Sequence, residues 1–273
     1  MKRILTIQDI SCLGKCSVTV ALPILSAMGV ETAVLPTAVL STHTAFPQPE
    51  IYDLTHKMQP IAEHWQRIGA RFDGMYTGYL ASADQVAAVQ TLADMFQPDM
   101  LLVDPAMADH GKLYAGFDRA FVEKMKALCA RGDVILPNLT EACLLTDTPY
   151  REAPEDDFIK TLLHKLLALG CGCAVITGVA FAPGMTGAVG CKDGAYVICS
   201  APQLPISCHG TGDVFASVCA GALVSGQTLE QALSLAVDFT AECVKVTAES
   251  SRDSRFGVCF EPVLPHLWSE RKS

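Results

Sequence analysis

Short apolar runs alternate along this chain with longer stretches of helical spacing. Residues 3–8 read as a strand, 17–28 as an amphipathic helix and 31–35 as a second strand. The same rhythm predicts a helix over 51–67, a strand over 74–77, a helix over 83–95 and a strand over 100–104. Ser82 and Asp84 supply capping chemistry where the 83–95 helix starts. Further on, 117–129 and 156–169 read as helices, the latter closed by Gly170, and 134–136 as a buried strand.

Strands then cluster at 174–177, 186–191 and 196–200, the last two joined by Lys192-Asp193-Gly194, a hairpin turn. Two alanine-rich helical patterns follow, over 213–225 and 229–247, and the remainder is irregular until 263–268. No linker or repeat breaks the series. The pattern predicts an α/β protein of three layers, α/β/α, with residues 1–273 as one domain. Its central sheet would be mostly parallel, with an antiparallel hairpin at the edge.

Composition sharpens this picture in three places. Half of the residues are hydrophobic and 18% are charged, which suits a sheet covered on both faces. A net charge of -9 argues against nucleic acid or an anionic membrane surface as partner. The first residues lack the apolar length of a secretory signal, and no stretch approaches about eighteen uninterrupted apolar residues, so a cytoplasmic protein is expected. The 12 cysteines are scattered through apolar segments, and neither Cys12/Cys16 nor Cys171/Cys173 has a matching second pair. Reduced, buried thiols are expected rather than disulfides or zinc.

The sharpest chemical signal is Cys208-His209-Gly210-Thr211-Gly212-Asp213, which runs directly into an apolar helix. Glycines at a helix N-terminus let the backbone approach a ligand, and the first-turn N–H groups with the helix dipole form an anion site. Asp213 would sit beside a phosphate held there, placed to take the proton of a hydroxyl attacking it. This is neither a Walker loop nor a dinucleotide fingerprint. Taken alone, a Gly-x-Gly-Asp can equally be a tight turn with a favourable helix-start aspartate.

Other segments fall in a definite order: Ile7-Gln8 with Gly14, Ser41-Thr42-His43-Thr44, Thr77-Gly78-Tyr79-Leu80, Asp104-Pro105-Ala106-Met107-Ala108-Asp109 and Pro137-Asn138-Leu139-Thr140-Glu141. Together with the Gly-x-Gly-Asp loop, they make the chain resemble the ribokinase-like superfamily and, within it, the pyridoxal kinases. The resemblance runs nearly end to end. It implies phosphorylation of the hydroxymethyl group of a vitamin B6 ring by ATP with Mg²⁺, a monovalent cation such as K⁺ as a further activator, and a homodimer.

The resemblance assigns Asp213 as base and Gly210, Thr211 and Gly212 as the anion hole. Asp104 and Glu141 would hold Mg²⁺ through waters, while Asn138, Asp109, Thr177 and Gly178 would lie along the nucleotide. Asp9, Thr44, Tyr79 and His43 would line the ring, although His43 can also be read as a turn histidine. Two positions depart from the pyridoxal kinase pattern: Asp9 stands where serine is usual and His209 where an apolar residue is usual. A carboxylate at position 9 can accept from a pyridinium N–H or an aminomethyl group. His209 resembles hydroxymethylpyrimidine kinases of thiamine synthesis, which stay open as an alternative, as do a pyridoxal phosphate-binding protein without activity and a sugar or nucleoside kinase. Cys12 and Cys208 lie near the loops, and small buried apolar thiols are the plainer reading of both.

Overall fold

The computed structural model describes residues 1–269, so the last four residues of the expected domain lie outside the described set. The chain opens with β1 (Arg3–Leu13), α1 (Val18–Ala27), β2 (Glu31–Thr42), β3 (Ile51–Asp53), α2 (Thr55–Arg67), β4 (Gly74–Thr77), α3 (Ala83–Phe96) and β5 (Met100–Val103). A small hairpin, β6 (Ala108–Asp109) and β7 (Lys112–Leu113), precedes α4 (Arg119–Cys129), β8 (Val134–Ile135), α5 (Leu139–Leu145) and α6 (Asp156–Leu167). The remainder is β9 (Ala174–Thr177), β10 (Met185–Lys192), β11 (Ala195–Pro202), α7 (Thr211–Val224), α8 (Leu229–Glu249), a 3₁₀ turn (Ser254–Phe256) and α9 (Leu264–Ser269).

Nine strands form one sheet in the order β11-β10-β9-β8-β5-β4-β1-β2-β3. Pairing is parallel from β9 through β2, and antiparallel where β10 meets β9 and β11 and where β3 meets β2. The expected three layers are present. One core, built on Leu5, Met75, Leu101 and Ile176, is covered by α2 to α6. The other, built on Ile4, Tyr76, Leu102 and Val175, is covered by α1, α7, α8 and α9. Helix α7 is buried nearly all round, which explains why its sequence shows no polar stripe. Gly221 leaves room for the Met28 thioether, whose sulfur would lie 2.6 Å from an added Cβ.

The hairpin edge follows its turn chemistry: Asp193 and Gly194 both take positive φ, 50° and 78°, as a two-residue turn between right-twisted strands requires. Ser82 caps α3 by accepting from the Gln85 amide. The expected helix over 51–67 is corrected at its start. Residues Ile51–Asp53 pair antiparallel with β2, and α2 begins at Thr55. Strands β1 and β2 run well past their expected ends, because they continue beside each other after a register shift between Gln8 and Ile10. No described helix is long and apolar enough to cross a membrane. All 12 cysteines are free, and nine are buried.

Candidate active site

A cavity of about 570 Å³ opens at the carboxyl ends of the parallel strands, where open α/β sheets hold their ligands. It gathers Gly210, Thr211, Gly212, Asp213, Asp104, Asp109, Asn138, Glu141, Thr177 and Gly178, ten of the residues singled out in the sequence. The anion loop is shaped by a backbone constraint. Gly210 caps α7 with φ 84°, and a Cβ there would lie 2.2 Å from the Lys15 carbonyl oxygen. Gly210→Ala is therefore expected to destabilise the fold by about 1–3 kcal/mol and to cut nucleotide affinity at least about tenfold. Gly212→Ala meets no protein atom within 4 Å, so it should leave the unfolding midpoint near wild type and report on the ligand side alone. Urea unfolding and ADP titration on both variants check this pair.

Asp213 lies at the third residue of α7, half-buried. Burial, reinforced by the negative charges of Asp104 and Asp9 and partly offset by the Ser17 backbone N–H, pushes its carboxyl up to about 8. Asp104 follows β5, its carboxylate accepting from the Ala106 amide at 3.2 Å. Burial and the Glu141 charge raise its pKa.

Glu141 is 2% exposed. One carboxylate oxygen accepts from the amides of Met107 (2.8 Å) and Ala108 (3.3 Å), and the other from the Asn138 amide (2.9 Å). Asn138 in turn caps α5 by accepting from the Glu141 amide at 3.0 Å, and its side-chain NH₂ donates to the Ala108 carbonyl at 2.7 Å. Asn-x-x-Glu is thus a capping box as well as a candidate ligand pair, and the capping signature was available in the sequence as the start of a helix. Burial raises the Glu141 pKa too, so two carboxylates that resist ionisation face each other. This all-oxygen donor set fits a hard divalent cation. Both Glu141 oxygens accept from amides, and the one bonded only to Asn138 keeps a lone pair for a further partner.

Thr177 and Gly178 end β9, with the Gly178 amide donating to the Gly187 carbonyl at 2.8 Å and φ 73°. Asp109 reaches the cavity from the β6–β7 hairpin, but its carboxylate is exposed and accepts from its own neighbour's amide, His110, at 2.8 Å.

The four expected ring residues lie outside this cavity lining. Asp9 is buried at the bulge of β1, where the Ser11 hydroxyl donates to it at 3.0 Å. Burial raises its pKa, opposed by hydrogen bonds from Ser17 and Ser11. Ser11, missed in the sequence, was signalled by alternation, since positions 9 and 11 share a face of the strand.

His43 is buried, and its Nε2 lies 2.8 Å from the Arg255 carbonyl oxygen, an acceptor that assigns the proton to Nε2. Its ring stacks on His209 at 4.0 Å, and an added Cβ on Gly14 would meet it at 2.5 Å. His209 lines the cavity, and desolvation of its ring where it stacks on His43 lowers its pKa. Tyr79 packs on Phe117 at 5.6 Å. Thr44 is exposed, with no hydrogen bond to bring it to the others. Tyr114, with no motif around it in the sequence, also lines the cavity from beyond the hairpin.

A glycine-bordered helix start, a half-buried acid within its first turn and paired carboxylates at the carboxyl ends of a parallel sheet define an enzyme that transfers phosphoryl groups. Residues 24–257 match the phosphomethylpyrimidine kinase family, and the chain belongs to it. Among solved structures, a candidate phosphomethylpyrimidine kinase from Bacteroides thetaiotaomicron, crystallised with pyridoxal, is 39% identical, with 97% of this chain and 95% of that one covered and a TM-score of 0.92. The pyridoxal kinase of Lactobacillus plantarum is 35% identical over 100% and 98% of the two chains, with a TM-score of 0.94. A pyridoxine/pyridoxal/pyridoxamine kinase from Bordetella avium is 24% identical over 89% of this chain and 85% of its own.

Proposed function

We propose that the protein is a cytoplasmic kinase that transfers the γ-phosphoryl group of ATP to the 5′-hydroxymethyl group of pyridoxal, pyridoxine or pyridoxamine. The observation that carries this reading is Asp213. It is a half-buried, proton-affine carboxylate in the first turn of α7, immediately behind an anion loop and beside Asp104. Likeness to the pyridoxal-bound Bacteroides protein and the Lactobacillus kinase supports a B6 ring as acceptor.

In this mechanism the vitamer's hydroxymethyl group faces Asp213, which accepts its proton as the oxygen attacks phosphorus. The backbone N–H groups of Gly210, Thr211 and Gly212 receive the transferring phosphoryl group, in line with the α7 dipole. Asp104 and Glu141 would hold Mg²⁺, which would supply charge neutralisation to the triphosphate. Asn138, Thr177, Gly178 and Asp109 border the nucleotide. Asp9, His43, Thr44 and Tyr79 border the ring, Asp9 offering a buried acceptor to a ring N–H or an amine. A homodimer accords with the family resemblance.

His209 at the cavity wall, and likeness to a hydroxymethylpyrimidine/phosphomethylpyrimidine kinase from Bacillus subtilis, support hydroxymethylpyrimidine as a second acceptor. ATP consumption measured with the three B6 vitamers and hydroxymethylpyrimidine in parallel separates the two. Turnover of a vitamer is expected to exceed that of the pyrimidine, and turnover of the pyrimidine alone would move the enzyme to pyrimidine phosphorylation.

A further inference from the structure

Behind the active site, in the apolar layer between the sheet and α7, polar side chains meet in full burial. They are Thr6 and Gln8 of β1, Tyr76 of β4 and Ser217 of α7, each 0% exposed. Register brings them together. Thr6 stands opposite Tyr76 in the parallel pair of β1 and β4, and Gln8, two residues on from Thr6, shares its face. The Gln8 side-chain NH₂ donates to the Thr6 hydroxyl at 2.8 Å, and the Ser217 hydroxyl donates to the Asp213 carbonyl at 2.6 Å.

Two atoms of this group are unspent. The Tyr76 hydroxyl and Gln8 Oε1 are both buried without a hydrogen-bond partner. They are also neighbours, since the Tyr76 hydroxyl lies against both Gln8 and Ser217. An amide oxygen only accepts, and burial beside the charges of Asp213 and Asp104 keeps the phenol protonated and so a donor. One bond from Tyr76 to Gln8 would satisfy both atoms, and buried groups left unpaired are costly. The pair also stands between the ring residues and the base. Gln8 directly precedes Asp9 at the bulge of β1, and its side chain lies over Gly78, where an added Cβ would meet Gln8 Cδ at 2.9 Å. Gly78 in turn precedes Tyr79, while Ser217 ties Tyr76 to the helical turn that carries Asp213.

We propose that Tyr76 is a positioning residue for the phosphoryl acceptor: as the ring engages Asp9 and Tyr79, Gln8 settles onto the Tyr76 hydroxyl, and this bond fixes the ring-bearing strand ends against the start of α7. The inference rests on the kinase reading above. A ligand shifts such an equilibrium only by what it gains in one arrangement over the other, so part of the vitamer's affinity resides in this bond. The nucleotide, bound along the anion loop and the end of β9, has no share in it.

The test uses Tyr76→Phe, which removes the hydroxyl and keeps the aromatic ring in the core. Urea unfolding without vitamer is expected at the wild-type midpoint or above, because the variant loses a buried donor that has no partner. Its kcat/KM for the fastest-reacting vitamer is expected to fall about fivefold, the worth of one neutral hydrogen bond, while ADP affinity by calorimetry stays within about twofold of wild type. Gln8→Met removes the acceptor instead. It should cost the vitamer a similar factor, and adding Tyr76→Phe to it should cost nothing more. Unchanged kcat/KM in Tyr76→Phe, additive losses in the double variant, or a lowered urea midpoint, the mark of a hydroxyl bonded with or without the ring, would each overturn the proposal while leaving the kinase reading intact. Wild-type protein that phosphorylates no vitamer would sink that reading and this inference with it.

Discussion

Asp213→Asn is expected to lower kcat by about 10²–10⁴-fold while making the folded protein more stable at neutral and alkaline pH. The two effects share one cause. The carboxylate sits where burial and its acidic neighbours Asp104 and Asp9 oppose its charge, raising its pKa from 3.8 to about 8. Between those values the folded protein keeps a proton that the unfolded chain has released. Stability therefore falls as pH rises through this window, and the Asp213 contribution is fully present only below about pH 4. Asparagine carries no charge to desolvate, so the variant should unfold at higher temperature than wild type at pH 8–9 and at the same temperature below about pH 4. In wild type, kcat/KM should rise with pH through about 8 as the base is freed of its proton, and the residual activity of the variant should lack that limb. Thermal unfolding across pH and a pH–rate profile on both proteins check the pair. A variant less stable than wild type at every pH, or one retaining the wild-type limb, would put the base on another residue.

The fold was legible in the sequence wherever one period dominated a segment. Strands β4, β5 and β9 are short apolar runs, and α3 carries both its spacing and its Ser82 cap. The misreadings fall where two periods overlap or where tertiary pairing overrides local preference. Residues Ile51–Asp53 precede a helical pattern without interruption, and only β2, across a loop, draws them into the sheet. The hairpin of β6 and β7 is too short for any period to register, and α5 has only seven residues, with its capping box as the one local sign of its start. Within the site, residue types and order pointed to Asp213, Asp104 and Glu141, since phosphoryl transfer limits what can serve. Burial and partners could not be read there. That the Glu141 carboxylate is spent on backbone amides, that His43 points one nitrogen at the Arg255 carbonyl, and that Thr44 stands exposed follow from packing between segments distant in sequence.

Glu141→Ala is expected to cost about 3–5 kcal/mol of folding stability, more than an ordinary truncation at a helix start. The carboxylate is the acceptor for three backbone N–H groups, those of Met107, Ala108 and Asn138, and alanine leaves all three without it in a buried setting. Those amides tie the segment after Asp104 to the start of α5, so the loss should also loosen Asp104 and the β6–β7 hairpin over the cavity. Glu141→Gln separates the structural role from the metal role. Its amide oxygen can keep the Met107 and Ala108 bonds, while its NH₂ faces the Asn138 N–H donor to donor, so a smaller loss of about 1–3 kcal/mol is expected. Urea unfolding measures both. If Glu141 also helps hold the cation, the folded Gln variant should need at least about tenfold more Mg²⁺ for half-maximal activity, in line with the cost of altering a group that orients a metal's ligands. An unchanged Mg²⁺ requirement beside the expected stability loss would confine Glu141 to the capping box and leave Asp104 as the cation's principal protein contact. Between these outcomes lies the question Asn138-Leu139-Thr140-Glu141 poses, since Glu141 Oε1 accepts from two amides and Oε2 from one, which leaves Oε2 a lone pair for a further partner.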